Sequence, residues 1–206
     1  MATPGPSVPA RRVHAVAVPI GSANHGSLQR ACARVGVDLE FSTDPARIRR
    51  ASHVLMPGVG AAGHAMAGLR RSGLDRCVAR LTQPVLGICL GMQLLFEHSA
   101  ENDTTLLGLI PGRVERLAPS PPWPHMGWNT VNASRPNALF DPLAPPPWFY
   151  FVHGFAVRES AAGLASTSFG GALVAAVGQG NFLGTQFHPE KSGAAGRQLL
   201  SRFFQL

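Results

Sequence analysis

Gly87-Ile88-Cys89-Leu90-Gly91 lies where one apolar run, PVLGI, passes without a break into another, MQLLF. A chain that turns from strand to helix within two residues crowds its own backbone, and glycines on both sides of the central residue relieve the collision. The turn would leave the Cys89 thiol at a helix N-terminus, where peptide dipoles favour the thiolate and free N–H groups can hold a developing oxyanion. A lone cysteine is usually a small buried residue. Its glycine frame makes Cys89 a candidate nucleophile instead. Such a thiol needs a base, and the base needs a group to orient it. Gln186-Phe187-His188-Pro189-Glu190-Lys191 offers both. With His188 and Glu190 at the end of a strand, their i, i+2 spacing puts the carboxylate beside the second ring nitrogen, and Pro189 locks the turn between them. None of the other seven histidines has a carboxylate two residues on. No two Cys or His residues show zinc-ligand spacing and no CxxC occurs, so zinc is not expected; no metal or organic cofactor is implied.

Two motifs this far apart in sequence must be brought together by the fold. In the first half, apolar runs alternate with helical patterns. RVHAVAVPI ends at Gly21 as a buried strand does, and Ser27 to Val35 carries Leu28, Ala31, Cys32 and Val35 at helical spacing before Gly36. VDLEFST reads as a strand, DPARIRRA as a helix opening at an Asp before Pro, SHVLMPG as a third strand ending at Pro57-Gly58, and QPVLGICLGMQLLFEHS as a strand running into a helix. Between them, the Ala-, Gly- and Leu-rich stretch to Thr82 reads as helical pieces. This alternation predicts an α/β fold: a mostly parallel central sheet with helices on both faces, and the nucleophile at the C-terminal edge of a central strand. From about Leu106 the pattern changes to Pro, Trp and short apolar runs (GLIPGRVERL, HMGWNTV, PWFYFVHGFAV, LVAAVGQGNFLGTQFHP), which read as a smaller antiparallel strand set. A last helix carries Leu199, Leu200, Phe203 and Phe204 on one face.

The bulk properties narrow the function class. A chain of 206 residues that is 45% hydrophobic and 14% charged is too apolar for disorder and long enough for one compact domain. Three cysteines exclude a disulfide scaffold and suit a reducing, cytoplasmic setting. No apolar run approaches the roughly 20 residues of a membrane span, and residues 1–12 read as a short disordered leader without a signal-peptide core. The formal charge of +7 comes from scattered arginines and one lysine, Lys191, with no basic face, so nucleic acid is not an expected partner.

GICLGMQLL together with QFHPE resembles the class I (triad) glutamine amidotransferases. PGVG at 57–60, PHMGWN at 124–129, YFVHGF at 150–155 and GTQFHPEKSGAAG at 184–196 are similar to the glutaminase subunits of imidazole glycerol phosphate synthases. The resemblance covers residues 13–206 as one amidotransferase domain. It implies that Cys89 attacks the glutamine side-chain amide and that His188 and Glu190 complete a Cys-His-Glu triad. It also implies an oxyanion site at the Leu90 N–H and in the Gly58-Val59-Gly60 loop, where a flip of the Gly58-Val59 peptide would act as an on-switch. Gln93 and Glu101 would hold the substrate glutamine. The ammonia released would pass to a cyclase subunit with a (βα)8 barrel, bound as a heterodimer. There it would convert a phosphoribulosyl-formimino ribotide to imidazole glycerol phosphate and aminoimidazole carboxamide ribotide in histidine biosynthesis. Asn24, Trp128 and Lys191 would face that partner. Pro19 and Ala23, and Gly154 with Phe155, depart from the family pattern near the expected interface and pocket rim. The glutaminase subunit of pyridoxal phosphate synthase and a non-catalytic barrel-binding module are the rival readings.

Overall fold

The computed structural model describes residues 13–21, 25–118, 123–133, 136–140 and 145–206. The leader at 1–12, with Ala23 and Asn24, therefore lies outside the described residues. Each apolar run of the first half satisfies its backbone by lateral pairing and hides its side chains under a helix. In order these are β1 (Ala15–Ala17), β2 (Ile20–Gly21), α1 (His25–Ala33), β3 (Leu39–Phe41), α2 (Pro45–Arg50), β4 (His53–Val59), α3 (Ala62–Ser72), α4 (Leu74–Val78), β5 (Val85–Cys89) and α5 (Leu90–Gln93). Asp44 caps α2 by accepting from the Ala46 N–H, with Pro45 in the first turn, as the sequence predicts.

The second half adds β6 (His98–Ser99), β7 (Thr104–Thr105), β8 (Arg113–Arg116), β9 (His125–Thr130), β10 (Asn132–Ala133), β11 (Trp148–His153), β12 (Phe155–Ala156), β13 (Gly163–Ser168), β14 (Ala172–Gln179), β15 (Phe182–Thr185) and α6 (Gly193–Phe203). Among the described residues the main sheet runs β10-β13-β14-β15-β5-β4-β1-β3, with β2 paired to β4. Strands β15, β5, β4, β1 and β3 are parallel, and β14, β13 and β10 extend the sheet antiparallel. The antiparallel set is thus split: part lengthens the main sheet, while β9 pairs with β11, and β12, β8, β6 and β7 form a further small sheet.

Period-2 alternation sorts the core onto the two faces. Val16, Val54, Met56 and Val85 meet α3 and α4 through Met66, Leu69 and Leu74. Ala15, Leu55, Leu86 and Ile88 meet α1 and α6 through Leu28, Leu199 and Phe203. Among the described residues no helix is long and apolar enough to cross a membrane.

Three local readings change, and one strand was not predicted. The helix after Cys89 is a single turn, not the longer one that MQLLF suggests, so its dipole is a small part of the electrostatics. Pro57-Gly58-Val59 is not a loop: β2 pairs with Gly58 and Val59 and carries β4 through to Val59. His188 and Glu190 do not share a strand face, because β15 ends at Thr185 and Pro189–Lys191 forms a 3-10 turn. GLASTS forms β13, although its weak apolar content gives little strand signal.

Candidate active site

Three neighbouring parallel strands deliver the chemistry to one edge. Cys89 is the last residue of β5, the β4 residue in register with it is Gly58, and β15, on the other side of β5, leads directly to His188. Parallel pairing makes all three C-terminal ends emerge together, so residues far apart in sequence become neighbours without a long loop.

Cys89 takes φ 55°, ψ −108°, a conformation that L-residues rarely adopt. The glycines around it allow this. A Cβ on Gly91 would fall 1.7 Å from the Met56 carbonyl oxygen, and one on Gly87 would fall 2.5 Å from that of Gly91. The strain is thus held by backbone packed on backbone, and it fixes where the thiol points.

His188 Nδ1 and Glu190 Oε1 are 2.8 Å apart, and both side chains are buried. The 3-10 turn folds Glu190 back under the ring, which gives by another geometry the contact the i, i+2 spacing suggested. The histidine is also clamped through its main chain. Its N–H donates to the Tyr150 carbonyl at 2.9 Å, and its carbonyl accepts from Ser192 Oγ at 2.6 Å. Ser192 Oγ in turn accepts from the Tyr150 N–H at 3.0 Å. α6 closes on the turn so tightly that a Cβ on Gly196 would meet the Pro189 carbonyl oxygen at 1.9 Å.

The Nε2 of His188 is buried without a hydrogen bond of standard geometry. Burial by itself pushes this imidazole down. Cys89 and Glu190 outweigh burial through hydrogen bonding and charge and raise it to about 10. A histidine held positive beside a thiol is the arrangement that generates a thiolate, and slack geometry in an empty site tightens when substrate arrives. Of the other cysteines, burial and then the Glu190 charge push Cys32 up to about 12, which leaves it an inert thiol.

A cavity of about 380 Å³ opens above the thiol. It brings together Cys89, Leu90, Gln93, Val59, Gly60 and Glu101 of the expected site. Gly58 lines a smaller cavity behind it with His188, Glu190 and Lys191. Glu101 Oε2 accepts from the Ala62 N–H at 2.7 Å, which ties this carboxylate to the start of α3. Gln93 is buried, and its Nε2 donates to the Phe155 carbonyl at 2.9 Å and to Gln186 Oε1 at 3.0 Å. Gly154 and Phe155 line the same cavity, and Trp123 lies against Gly154, where a Cβ would come within 3.0 Å of its ring. Gly154 therefore accommodates an indole at the rim.

Gln186 and Ser192 have no assigned role in the sequence reading, yet both are buried and bonded to the site. Gln186 is a polar residue in an apolar run, and a buried polar side chain requires a partner. That requirement is the sequence signal that points to Gln186, whereas Ser192, between Lys191 and Gly193, carries no such signal.

Beside the site, β9 and β11 divide by face, with Tyr150 opposite Trp128 and His153 opposite His125. His125, Phe151 and His153 point inward and are buried, while Met126, Trp128 and Trp148 are 54–60% exposed. Lys191 is exposed with its ammonium 5.5 Å from the Tyr150 ring centre, and Trp128 packs edge-on to the same ring.

The profile of the glutamine amidotransferase class-I family matches residues 16–206. The chain is 45% identical over 188 residues to the imidazole glycerol phosphate synthase subunit HisH of Xylella fastidiosa strain Temecula1, covering 90% of this chain and 94% of the relative. It is 44% identical over 195 residues to the HisH subunit of Idiomarina loihiensis, covering 94% and 98%. Among solved structures, one glutamine amidotransferase superposes with a TM-score of 0.72 at 20% identity, over 92% of this chain and 97% of the other. The structure of PurLQS from Thermotoga maritima superposes with a TM-score of 0.64 at 15% identity, over 94% of this chain and 98% of the other. These two likenesses concern the fold.

Proposed function

Because the chain belongs to the class-I glutamine amidotransferases, and within them to the glutaminase subunits of imidazole glycerol phosphate synthase, we propose that Cys89, His188 and Glu190 hydrolyse glutamine and that the ammonia passes to a separate cyclase subunit. The observation that carries this reading is the meeting of three strand ends: a strained thiol on β5 and a glycine-flanked peptide ending β4 at one cavity, and a carboxylate-held imidazole after β15 lining the adjoining one that shares Val59.

The Cys89 thiolate attacks the side-chain carbonyl carbon of glutamine. The oxygen takes up the charge and is met by the Leu90 N–H and by a peptide N–H of the Gly58-Val59-Gly60 segment. As the C–N bond breaks, imidazolium His188 protonates the departing nitrogen and ammonia leaves a glutamyl thioester. His188 then takes a proton from water, the hydroxide attacks the thioester, and the C–S bond breaks to release glutamate and restore the thiolate. Glu190 keeps the ring oriented and stabilises its positive form. At the far end of the cavity Glu101 suits the substrate α-ammonium, and the Gln93 oxygen is left to receive a substrate N–H.

Ammonia in water is protonated and lost, so the producing site must face its consumer. The outer face of β9–β11, with Trp128, Met126 and Trp148 exposed and Lys191 beside them, is the surface proposed for a cyclase barrel. Asn24 belongs to the same expectation but lies outside the described residues. The test is hydrolysis of amide-labelled glutamine, with and without the cyclase and its nucleotide ligand. Cys89→Ala is expected to abolish turnover in both, and a variant that retained it would sink the mechanism.

A further inference from the structure

Gln186 is 1% exposed, and its amide lies 3.7 Å from Cys89 Sγ. A primary amide can turn either hydrogens or an oxygen toward a sulfur, with opposite consequences: hydrogens stabilise a thiolate and a lone pair opposes it. Groups of fixed polarity decide which end faces Cys89. The Phe155 carbonyl can only accept, so the Gln93 atom 2.9 Å from it is Nε2. The second hydrogen of that Nε2 points at Gln186, 3.0 Å away, which must answer with Oε1. The NH2 of Gln186 is therefore turned to the sulfur.

The same carbonyl orients a second branch. It accepts from His153 Nδ1 at 2.8 Å, which leaves His153 Nε2 to accept from His125 Nδ1 at 2.9 Å, and His125 Nε2 to accept from Asn129 Nδ2 at 3.2 Å. Asn129 is itself set by backbone groups, donating to the Ser168 carbonyl at 2.9 Å and accepting from the Thr130 N–H at 2.8 Å. Each amide and ring thus has one permitted orientation. Burial pushes His153 down to about 3 and His125 down to about 4, so both rings stay neutral at neutral pH and this second branch keeps its direction. Around the sulfur, the Val152 carbonyl at 3.9 Å presents a lone pair and favours the thiol, whereas Gln186 presents hydrogens.

We propose that Gln186 is a further catalytic residue, whose amide N–H, oriented by Gln93 and the Phe155 carbonyl, donates to the Cys89 thiolate. The donor holds the attacking form before thioester formation and receives the charge again when the C–S bond breaks and the electron pair returns to sulfur. This rests on Cys89 being the nucleophile.

The test follows alkylation of Cys89 by iodoacetamide against pH in the full chain, with peptide mapping to separate it from Cys32 and Cys77. Gln186→Met keeps the side-chain length and removes the donor. Its alkylation midpoint is expected to rise by about one pH unit, whereas a residue that merely fills space would not move it. An unchanged midpoint in a Gln186→Met variant with the wild-type circular dichroism spectrum overturns the assignment. In case that variant does not fold, the side-chain amide protons of Gln186 in the wild-type protein are followed by NMR. They are expected to shift with the Cys89 midpoint, and resonances that ignore it overturn the assignment equally. Retained glutaminase activity in Cys89→Ala would instead remove the nucleophile reading, and is read separately.

Discussion

The sheet edge where β4, β5 and β15 end and the β9–β11 hairpin beside it both grip His188, and they are built from different materials. At the edge the determinants are backbone: the positive φ of Cys89, Gly91 against the Met56 carbonyl, and Gly196 against the Pro189 carbonyl. On the hairpin they are side chains sorted by face, with His125 stacked between Phe151 and Phe169 on the inside and indoles bare on the outside. Yet the hairpin supplies the Tyr150 carbonyl that holds the His188 N–H. A two-stranded ribbon has little stability of its own. Cys89 is therefore fixed by close-packed backbone, while His188 takes part of its orientation from a ribbon whose outer face is exposed. Whatever covers that face bears directly on His188.

The same substitution placed in both regions gives the largest contrast. Gly91→Ala drives a Cβ into the Met56 backbone in the middle of a paired sheet, and is expected to cost about 3 kcal/mol or more together with the elbow geometry. Gly127→Ala on β9 meets nothing within 4 Å and suffers only from its φ of 128°, at about 1–2 kcal/mol. Urea denaturation of both variants measures the difference. Equal losses would mean that the edge can yield as the hairpin does.

The next effect separates the two grips on His188. Because the sulfur is the foremost influence lifting this imidazole, and burial opposes it, Cys89→Ala is expected to lower it from about 10, read by ¹⁵N titration of the ring. The sign for stability follows. A folded value raised above the unfolded one stabilises fully below pH 6.5, and that contribution fades as pH rises toward 10. A ring that stayed protonated at pH 8 without the sulfur would assign its charge to Glu190 alone.

How much of this was legible in the chain follows from the same division. Period-2 and helical spacing show which residues face the core, so the α/β class, the sheet edge and the Cys89 elbow could all be read from the sequence. Glycine spacing was informative because close backbone approach leaves few residue choices. Other features depend on what the rest of the fold places nearby. The i, i+2 argument put His188 and Glu190 on a strand, but Ser192, Tyr150 and α6 impose a 3-10 turn there. The length of α5 and the pairing of β2 that carries β4 to Val59 are likewise set by neighbours. Gln186 could be seen only as a polar residue in an apolar run, since its role depends on a carbonyl at Phe155 that no local pattern brings to it.

The smallest effect on the isolated chain tests the uncovered face. Trp128 and Trp148 lie on the outer side of β9–β11, 54% and 57% exposed. Trp128→Ala and Trp148→Ala are each expected to change unfolding free energy by no more than about 0.5 kcal/mol. If the face docks a cyclase, the same truncations remove buried aromatic anchors and weaken the complex by about 2 kcal/mol or more, roughly thirtyfold in affinity, with loss of ligand-stimulated glutamine hydrolysis. Calorimetric titration against the cyclase and a thermal melt of the free variants measure the two sides. Stability lost without affinity lost would make the indoles part of the hairpin's own support, and the hairpin would then hold His188 without outside help. Affinity lost at constant stability would mean that His188 is braced by a surface completed only in the complex.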